Sequence, residues 1–258
     1  MARQISLYEI PKILETAEVL DSSKLNEYNE SVKSNYNSKK ARDVLTQFGE
    51  YEKELAGSNP FMLVHLENSG LLPQGARLAE RTDLEKAISS DNTFLKENYV
   101  DIGLAIKTES DSYQPNDLIA RKLAGQLKQR GIQLADGKLV SYNLLSLEED
   151  DNSQYGLVFV LKQDANKDSI LCINDFNWDY SREEGISRAY LNADRDWVSR
   201  YRDLADSNGT GRVVSISAEG TSQKFLEEHL AKLQKIKEEE IAGIKERYAR
   251  AEAILRGK

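Results

Sequence analysis

The sequence predicts an α+β fold, a domain of short strands and few helices framed by helical segments at both ends. Three observations predict it. Apolar residues recur three and four apart near each end of the 258-residue chain, and between Phe61 and Ala218 the hydrophobic period changes repeatedly. Arg212-Val213-Val214-Ser215-Ile216-Ser217 reads as a clear strand.

Residues 1–56 form the first segment. Leu7, Ile10, Leu14 and Ala17, then Leu25, Tyr28 and Val32, then Val44, Phe48, Tyr51 and Leu55 keep helical spacing, which predicts two or three amphipathic helices with Asp21-Ser22-Ser23 as a stop and cap. Gly57-Ser58-Asn59-Pro60 then breaks the pattern, because Pro60 pushes Asn59 out of the α region. A domain boundary is expected there.

Within 57–220, Phe61 to Leu66 is expected as a buried strand, and Leu84 to Ile88 and Leu118 to Leu127 as helices, the second stopped by Gly131. Val100 to Ile106, Leu139 to Leu145, Gly156 to Lys162 and Ile170 to Ile173 read as strands, with Arg212 to Ser217 as a central one. Residues 221–258 are expected as one amphipathic helix capped by Thr221. Its apolar face, from Leu226 to Leu255, has a mean step of about 3.6 residues, the period of a straight helix. Packing against the N-terminal helices is the preferred use of that face; a homo-oligomer through the terminal helices is the alternative.

Thirty-five Lys and Arg against 43 Asp and Glu give a formal charge of −8, which argues against nucleic acid as the main partner. The single Cys172 closes no internal disulfide and builds no thiolate zinc site. The opening residues lack the apolar run of a signal peptide, and no stretch approaches the ~20 apolar residues that span a bilayer. A cytoplasmic protein without membrane insertion is expected, with a place on a particle assembled there as the variant.

Enzymatic signatures are missing from the sequence: it holds no Gly-rich phosphate loop, GxSxG, HExxH or CxxC. His65 lies in an apolar run and His229 on a charged helix, which favours structural or surface roles over catalysis or metal binding. Cys172, between Leu171 and Ile173, reads as a small buried hydrophobe. Glu148-Glu149-Asp150-Asp151-Asn152 lacks the glycine and ligand spacing of a calcium loop and reads as a solvated turn.

The stretch from Asn174 to Ser217 is unusual. Trp178, Tyr180, Tyr190, Trp197 and Tyr201 are interleaved with Asn, Asp, Ser and Arg over a thin apolar framework. Flat amphipathic rings among adaptable polar side chains are the chemistry of a recognition surface. A polar loop anchored over a sheet by its aromatics is the plainer reading.

The run SRAYLNADRDW…LADSNGTGRVVSIS, Ser187 to Ser217, resembles the variable region of C-type-lectin-fold target proteins of diversity-generating retroelements, of the kind found in archaea and their viruses. Gly75-Ala76-Arg77-Leu78-Ala79-Glu80 is similar to the first-helix signature of that fold class, with Ala79 in place of its proline. The resemblance covers roughly residues 60–218. It implies a C-type-lectin-like domain with a variable binding region at 187–210. It further implies that Tyr190, Asn192, Asp194, Asp196, Ser199, Arg200, Tyr201, Asp203, Asp206, Ser207 and Asn208 are diversified ligand contacts. Trp197, Leu204, Gly211, Arg212, Val213 and Val214 would be scaffold, with Trp197 packed beneath the surface. No cofactor or metal is implied, the ligand would be a protein or cell-surface group, and the neighbouring DNA should carry a reverse transcriptase and a near-repeat of codons 174–217.

Two other classes compete with a non-enzymatic binding protein. Formylglycine-generating enzymes share the fold class, but their chemistry needs paired cysteines or a histidine-rich iron site, and this chain has one cysteine and two histidines. A helical scaffold whose central domain only spaces the ends would bury 190–208 at an oligomer interface.

Overall fold

The N-terminal stretch departs from helix as soon as it is described. In the computed structural model, which describes residues 14–107, 117–135, 137–165, 169–173, 179–180, 185–199 and 203–219, Leu14–Val19 is a strand, β1. It lies beside Val214–Glu219, and the pairing runs on through Leu20 N–H to Val213 O at 2.8 Å. Leu14 and Ala17 therefore satisfy a sheet, and their helical spacing is coincidental. The expected helix at 221–258, His229 and the first thirteen residues lie outside the described residues.

Asp21 ends the strand, its carboxylate accepting from Ser23 N–H at 2.7 Å. Two helices follow as expected, α1 (Leu25–Asn35) and α2 (Lys39–Leu45), with Ser38 capping the second. The helical pattern of Phe48, Tyr51 and Leu55 is broken by a hairpin of β2 (Gly49–Tyr51) and β3 (Glu54–Ala56). Glu52 and Lys53 both take positive φ, 51° and 71°, as a tight hairpin turn requires.

Phe61 to Leu66 is helical, against the expected strand. Pro60 occupies the first turn and Asn59 Oδ1 accepts from Met62 N–H at 2.9 Å, so cap and proline together start α3 (Pro60–Asn68). Its apolar run is continuous because the helix is buried all round. Residues 57–60 are also no boundary of the packing. Tyr28, Val32, Leu45 and Leu55 join Phe61, Leu104 and Phe159 in one cluster, and Thr16–Ser217 is one compact unit.

The helices and strands expected between Leu84 and Ile173, and the last strand, appear in order, interleaved with short strands at Arg77–Leu78, Asp179–Tyr180, Gly185–Leu191 and Trp197–Ser199 that the sequence pattern does not predict. After β4 (Arg77–Leu78) comes α4 (Arg81–Ser90), held at its start by Glu80 and Asp83 in a capping box. Then come β5 (Val100–Lys107), α5 (Asp117–Gln129), β6 (Lys138–Ser141), β7 (Leu145–Glu149), β8 (Leu157–Leu161) and β9 (Leu171–Cys172). The strand expected over Leu139 to Leu145 splits, since Tyr142–Leu144 forms a 3₁₀ turn between β6 and β7. Last are β10 (Asp179–Tyr180), β11 (Gly185–Leu191), β12 (Trp197–Ser199) and β13 (Val214–Glu219).

The protein is thus mixed α and β, with five α-helices among the described residues and several mostly antiparallel sheets. The largest runs β10-β12-β11-β5-β6-β9; β13 is the centre of β1-β13-β4, as its Val214 and Ile216 suggest. Opposite faces of the large sheet serve different cores. Leu104, Ile106 and Ile186 face the helices α3 and α5, whereas Ile102, Ala105, Ala189 and Leu191 pack with Leu84, Val214 and Ile216. No helix among the described residues is long and apolar enough to cross a membrane.

His65 belongs to this interior. It is 5% exposed, lies edge-on between Tyr28 and Tyr36, and meets Ser31 Oγ and the Tyr36 hydroxyl at 3.2 Å each. Burial pulls its pKa from 6.5 down to about 4. The unfolded chain then binds this proton before the folded one does, so stability is lost as pH falls through that window and levels off below it. Unfolding free energies measured from pH 7 to 4 should show a histidine contribution on the order of 3 kcal/mol. His65→Gln should remove that part of the slope; a mutant profile parallel to the parent contradicts the assignment.

Candidate functional site

The pairing of β5 with β11 sets the site. Arg188 and Tyr190, two residues apart on β11, share a face, and a register shift between Ala189 and Tyr190 brings Tyr190 opposite Asp101. Arg188 grips Asp101 through Nε to Oδ1 at 2.9 Å and Nη2 to Oδ2 at 2.6 Å, with side chains 3% and 0% exposed. Ser58 Oγ donates to Asp101 Oδ2 at 2.5 Å. Arg188 also donates to two backbone carbonyls, Ser58 O at 3.0 Å and Asp206 O at 2.6 Å. Burial works against the guanidinium charge, but the Asp101 carboxylate more than offsets it, and the pKa of Arg188 rises further.

Over this pair lies a cleft of about 200 Å³, lined by Tyr99, Arg188, Tyr190, Asn192, Ala193, Asp206 and Asn208. The rings of Tyr99 and Tyr190 meet edge to face at 6.1 Å, and the Arg188 guanidinium sits 5.4 and 5.9 Å from them. The Tyr99 hydroxyl donates to Ser58 O at 3.0 Å and accepts from Asn208 N–H at 3.3 Å. Burial, then the Asp101 charge, raises its pKa.

Two loops make the rim, held by main-chain atoms together with the side chains of Asn192 and Asn208. Between β11 and β12, Asn192 N–H donates to Asp196 O at 3.0 Å, Asp196 N–H to Asn192 Oδ1 at 2.7 Å, and Arg195 takes φ 68°. Beyond β12, Asp206 O accepts from Arg188, Gly211 N–H donates to Asn208 O, and Tyr99 N–H to Thr210 O. Gly211 is required there. A Cβ would stand 2.8 Å from Ser58 N and from the Tyr99 ring.

The eleven residues singled out from the sequence separate into groups. Tyr190, Asn192, Asp206 and Asn208 come together at the cleft. Tyr190 is only 9% exposed, so it is a wall of the cleft and not a freely projecting side chain. Asp194 and Asp196 are exposed on the neighbouring turn; Asp203, also exposed, accepts from the Tyr155 hydroxyl at 3.2 Å. Ser207 is half-buried, its Oγ accepting from Ser58 N–H at 3.0 Å. Ser199 is a correction: it is 0% exposed and shares a 2.7 Å hydroxyl contact with Ser187, inside the sheet, so it makes no ligand contact. Arg200 and Tyr201 lie outside the described residues.

Among the scaffold positions, Leu204, Arg212, Val213 and Val214 are buried. Trp197 pairs with Leu191 and packs against the second core, on the face of the sheet opposite Tyr190. Its ring also carries the Arg81 guanidinium at 5.4 Å. Composition did not point to Arg188, Asp101 or Tyr99. The available signal was one arginine inside the strand-like run GISRAYL and one aspartate inside VDIGLAI, opposite charges that apolar surroundings force together.

Elsewhere, Glu149 Oε1 accepts from Asn37 and Ser38 N–H at 2.9 and 2.6 Å, and Asp150 pairs with Lys122. Cys172 is half-buried on the edge strand β9 and accepts from Lys138 Nζ at 2.7 Å. Among the described residues no group of histidine, cysteine and carboxylate side chains is placed to hold a metal ion. No family model, curated protein or solved structure matches this chain.

The division between wall and rim has a direct consequence. Ser199→Tyr forces a ring into a filled sheet and should cost about 1–3 kcal/mol or more, whereas Asp194→Tyr should stay within about 0.5 kcal/mol of the parent. Urea unfolding of the two variants checks this; equal losses would place position 194 in the scaffold.

Proposed function

We propose that this chain is a non-enzymatic binding protein that presents a sequence-variable surface on a C-type-lectin-like scaffold, as a target protein of a diversity-generating retroelement does. One observation carries the reading. The rim loops are anchored to the floor through backbone atoms, Asp206 O on Arg188, Asn208 N on Tyr99 and Thr210 O on Tyr99 N, so Asp194, Asp196 and Asp206 can change without removing an anchor, whereas Asn192, Ser207 and Asn208 also brace the loops through their side chains. The buried Arg188–Asp101 pair and the close-packed Gly211 supply a fixed floor beneath them.

The ligand is read as a protein or cell-surface group engaged at the cleft and the exposed turn beside it. The polar-aromatic makeup of the rim suits adaptable contacts, with Tyr99 and Tyr190 as the rigid anchors.

A surface-displayed library randomised at Asn192, Asp194, Asp196, Asp206 and Asn208 tests the reading. Most members should fold, those that keep Asn192 and Asn208 with parental melting temperatures, and selection against an arbitrary folded protein should return binders whose substitutions line the cleft. A library that is largely unfolded, or that yields no binders across several targets, contradicts it.

A further inference from the structure

The hydrogen-bonding inventory of the cleft is lopsided. Arg188 has five N–H donors, and four of them meet Asp101 Oδ1, Asp101 Oδ2, Ser58 O and Asp206 O. The Tyr99 hydroxyl also lies beside the guanidinium, and the fifth N–H, on Nη1, has the Asp206 carboxylate 3.9 Å away. Asn192 Oδ1 accepts from Asp196 N–H, and Asn208 Oδ1 accepts from Thr210 N–H and Oγ1. These bonds fix both amide orientations and leave both Nδ2 groups without an acceptor among the described residues. The cleft therefore offers donors from its buried floor and its rim, and one acceptor carboxylate, Asp206, 45% exposed.

Charge narrows the complement. Asp101 neutralises Arg188, so Asp206 leaves a surplus negative charge, with Asp194 and Asp196 exposed on the adjacent turn. An anion would satisfy the donors but would face Asp206. A cation would satisfy Asp206 but would meet the remaining Arg188 N–H. A neutral group with a carbonyl oxygen on one side and N–H on the other answers both. The edge-to-face tyrosines favour a flat one, and about 200 Å³ holds a single side chain where drug-sized ligands need ~300–1,000 Å³.

We infer that this cleft takes an uncharged carboxamide, the side chain of a glutamine or asparagine on a partner protein, with its carbonyl oxygen toward Arg188 and the asparagine amides and its NH₂ toward Asp206. The inference rests on the binding role proposed above and names the chemistry of that same site.

The test titrates the full ¹⁵N-labelled chain with N-acetyl-glutamine amide, and separately with its near-isostere N-acetyl-glutamate amide and with N-acetyl-lysine amide. The glutamine probe should shift the amides of Tyr99, Asn192, Ala193 and Asn208 and the Nε–H of Arg188, and should bind about tenfold tighter than the glutamate probe. In Asp206→Asn the repulsion is gone, and that preference should collapse or reverse. Glutamate or lysine binding the parent at the same amides as well as glutamine, or a preference unchanged in Asp206→Asn, overturns the carboxamide assignment while leaving a binding cleft in place. The inference is also overturned if no probe shifts these amides up to its solubility limit; the display library, which uses none of these probes, then decides the binding role separately.

Discussion

The fold around the cleft depends on one buried ion pair. Taking Arg188 and Asp101 out of water is costly, and the pair persists because nearly every polar atom on it is answered. Both Asp101 oxygens accept, Oδ2 twice, and Arg188 reaches two backbone carbonyls besides. Those partners come from four places in the chain: β5, β11, the turn that precedes α3, and the loop after β12. No apolar contact could set their mutual positions so closely, since packing tolerates sliding where a bidentate arginine does not.

From that pair the arrangement spreads outward. Ser58 O receives both Arg188 and the Tyr99 hydroxyl, Tyr99 receives Asn208 N–H, and Gly57 N–H reaches Gly211 O at 3.0 Å. Arg212 repeats the device at the next turn, donating to Glu54 at 2.8 Å and to the carbonyls of Gly209 and Gly211. Two buried arginines thus hold a loop to which the exposed Asp206 side chain contributes little, while Asn208 adds the local bonds it accepts from Thr210 N–H and Oγ1.

Much of this was legible in the sequence, and the failures have physical causes. Strands at Val100 to Ile106 and Arg212 to Ser217 and the helices near Leu84 and Leu118 announce themselves by β-branched runs, caps and periodicity. Phe61 to Leu66 misleads because a helix buried on every side has lost its amphipathic period; the Asn59-Pro60 cap was the better signal. Leu14 and Ala17 mislead because four positions cannot separate a helix from a strand, and pairing with β13 decided. At the site, composition located a polar-aromatic stretch but could not say which polar residues point inward. Ser199 and Ser187 sit on strands packed between two cores, and only register places their hydroxyls together. Arg188 escaped notice because its partner lies 87 positions away in sequence.

The most direct measurement of the central claim is native-state hydrogen exchange on Arg188→Lys. Lysine keeps the charge but cannot hold Asp101, Ser58 O and Asp206 O at once. If the arginine fork organises the cleft, the amides of Gly57, Tyr99, Gly211 and Arg212 should exchange faster together, while those of α5 and the β7–β8 hairpin keep their protection. Unchanged exchange at those four amides, or equal acceleration throughout the unit, would show that the pair is one contact among many and that something else positions the cleft.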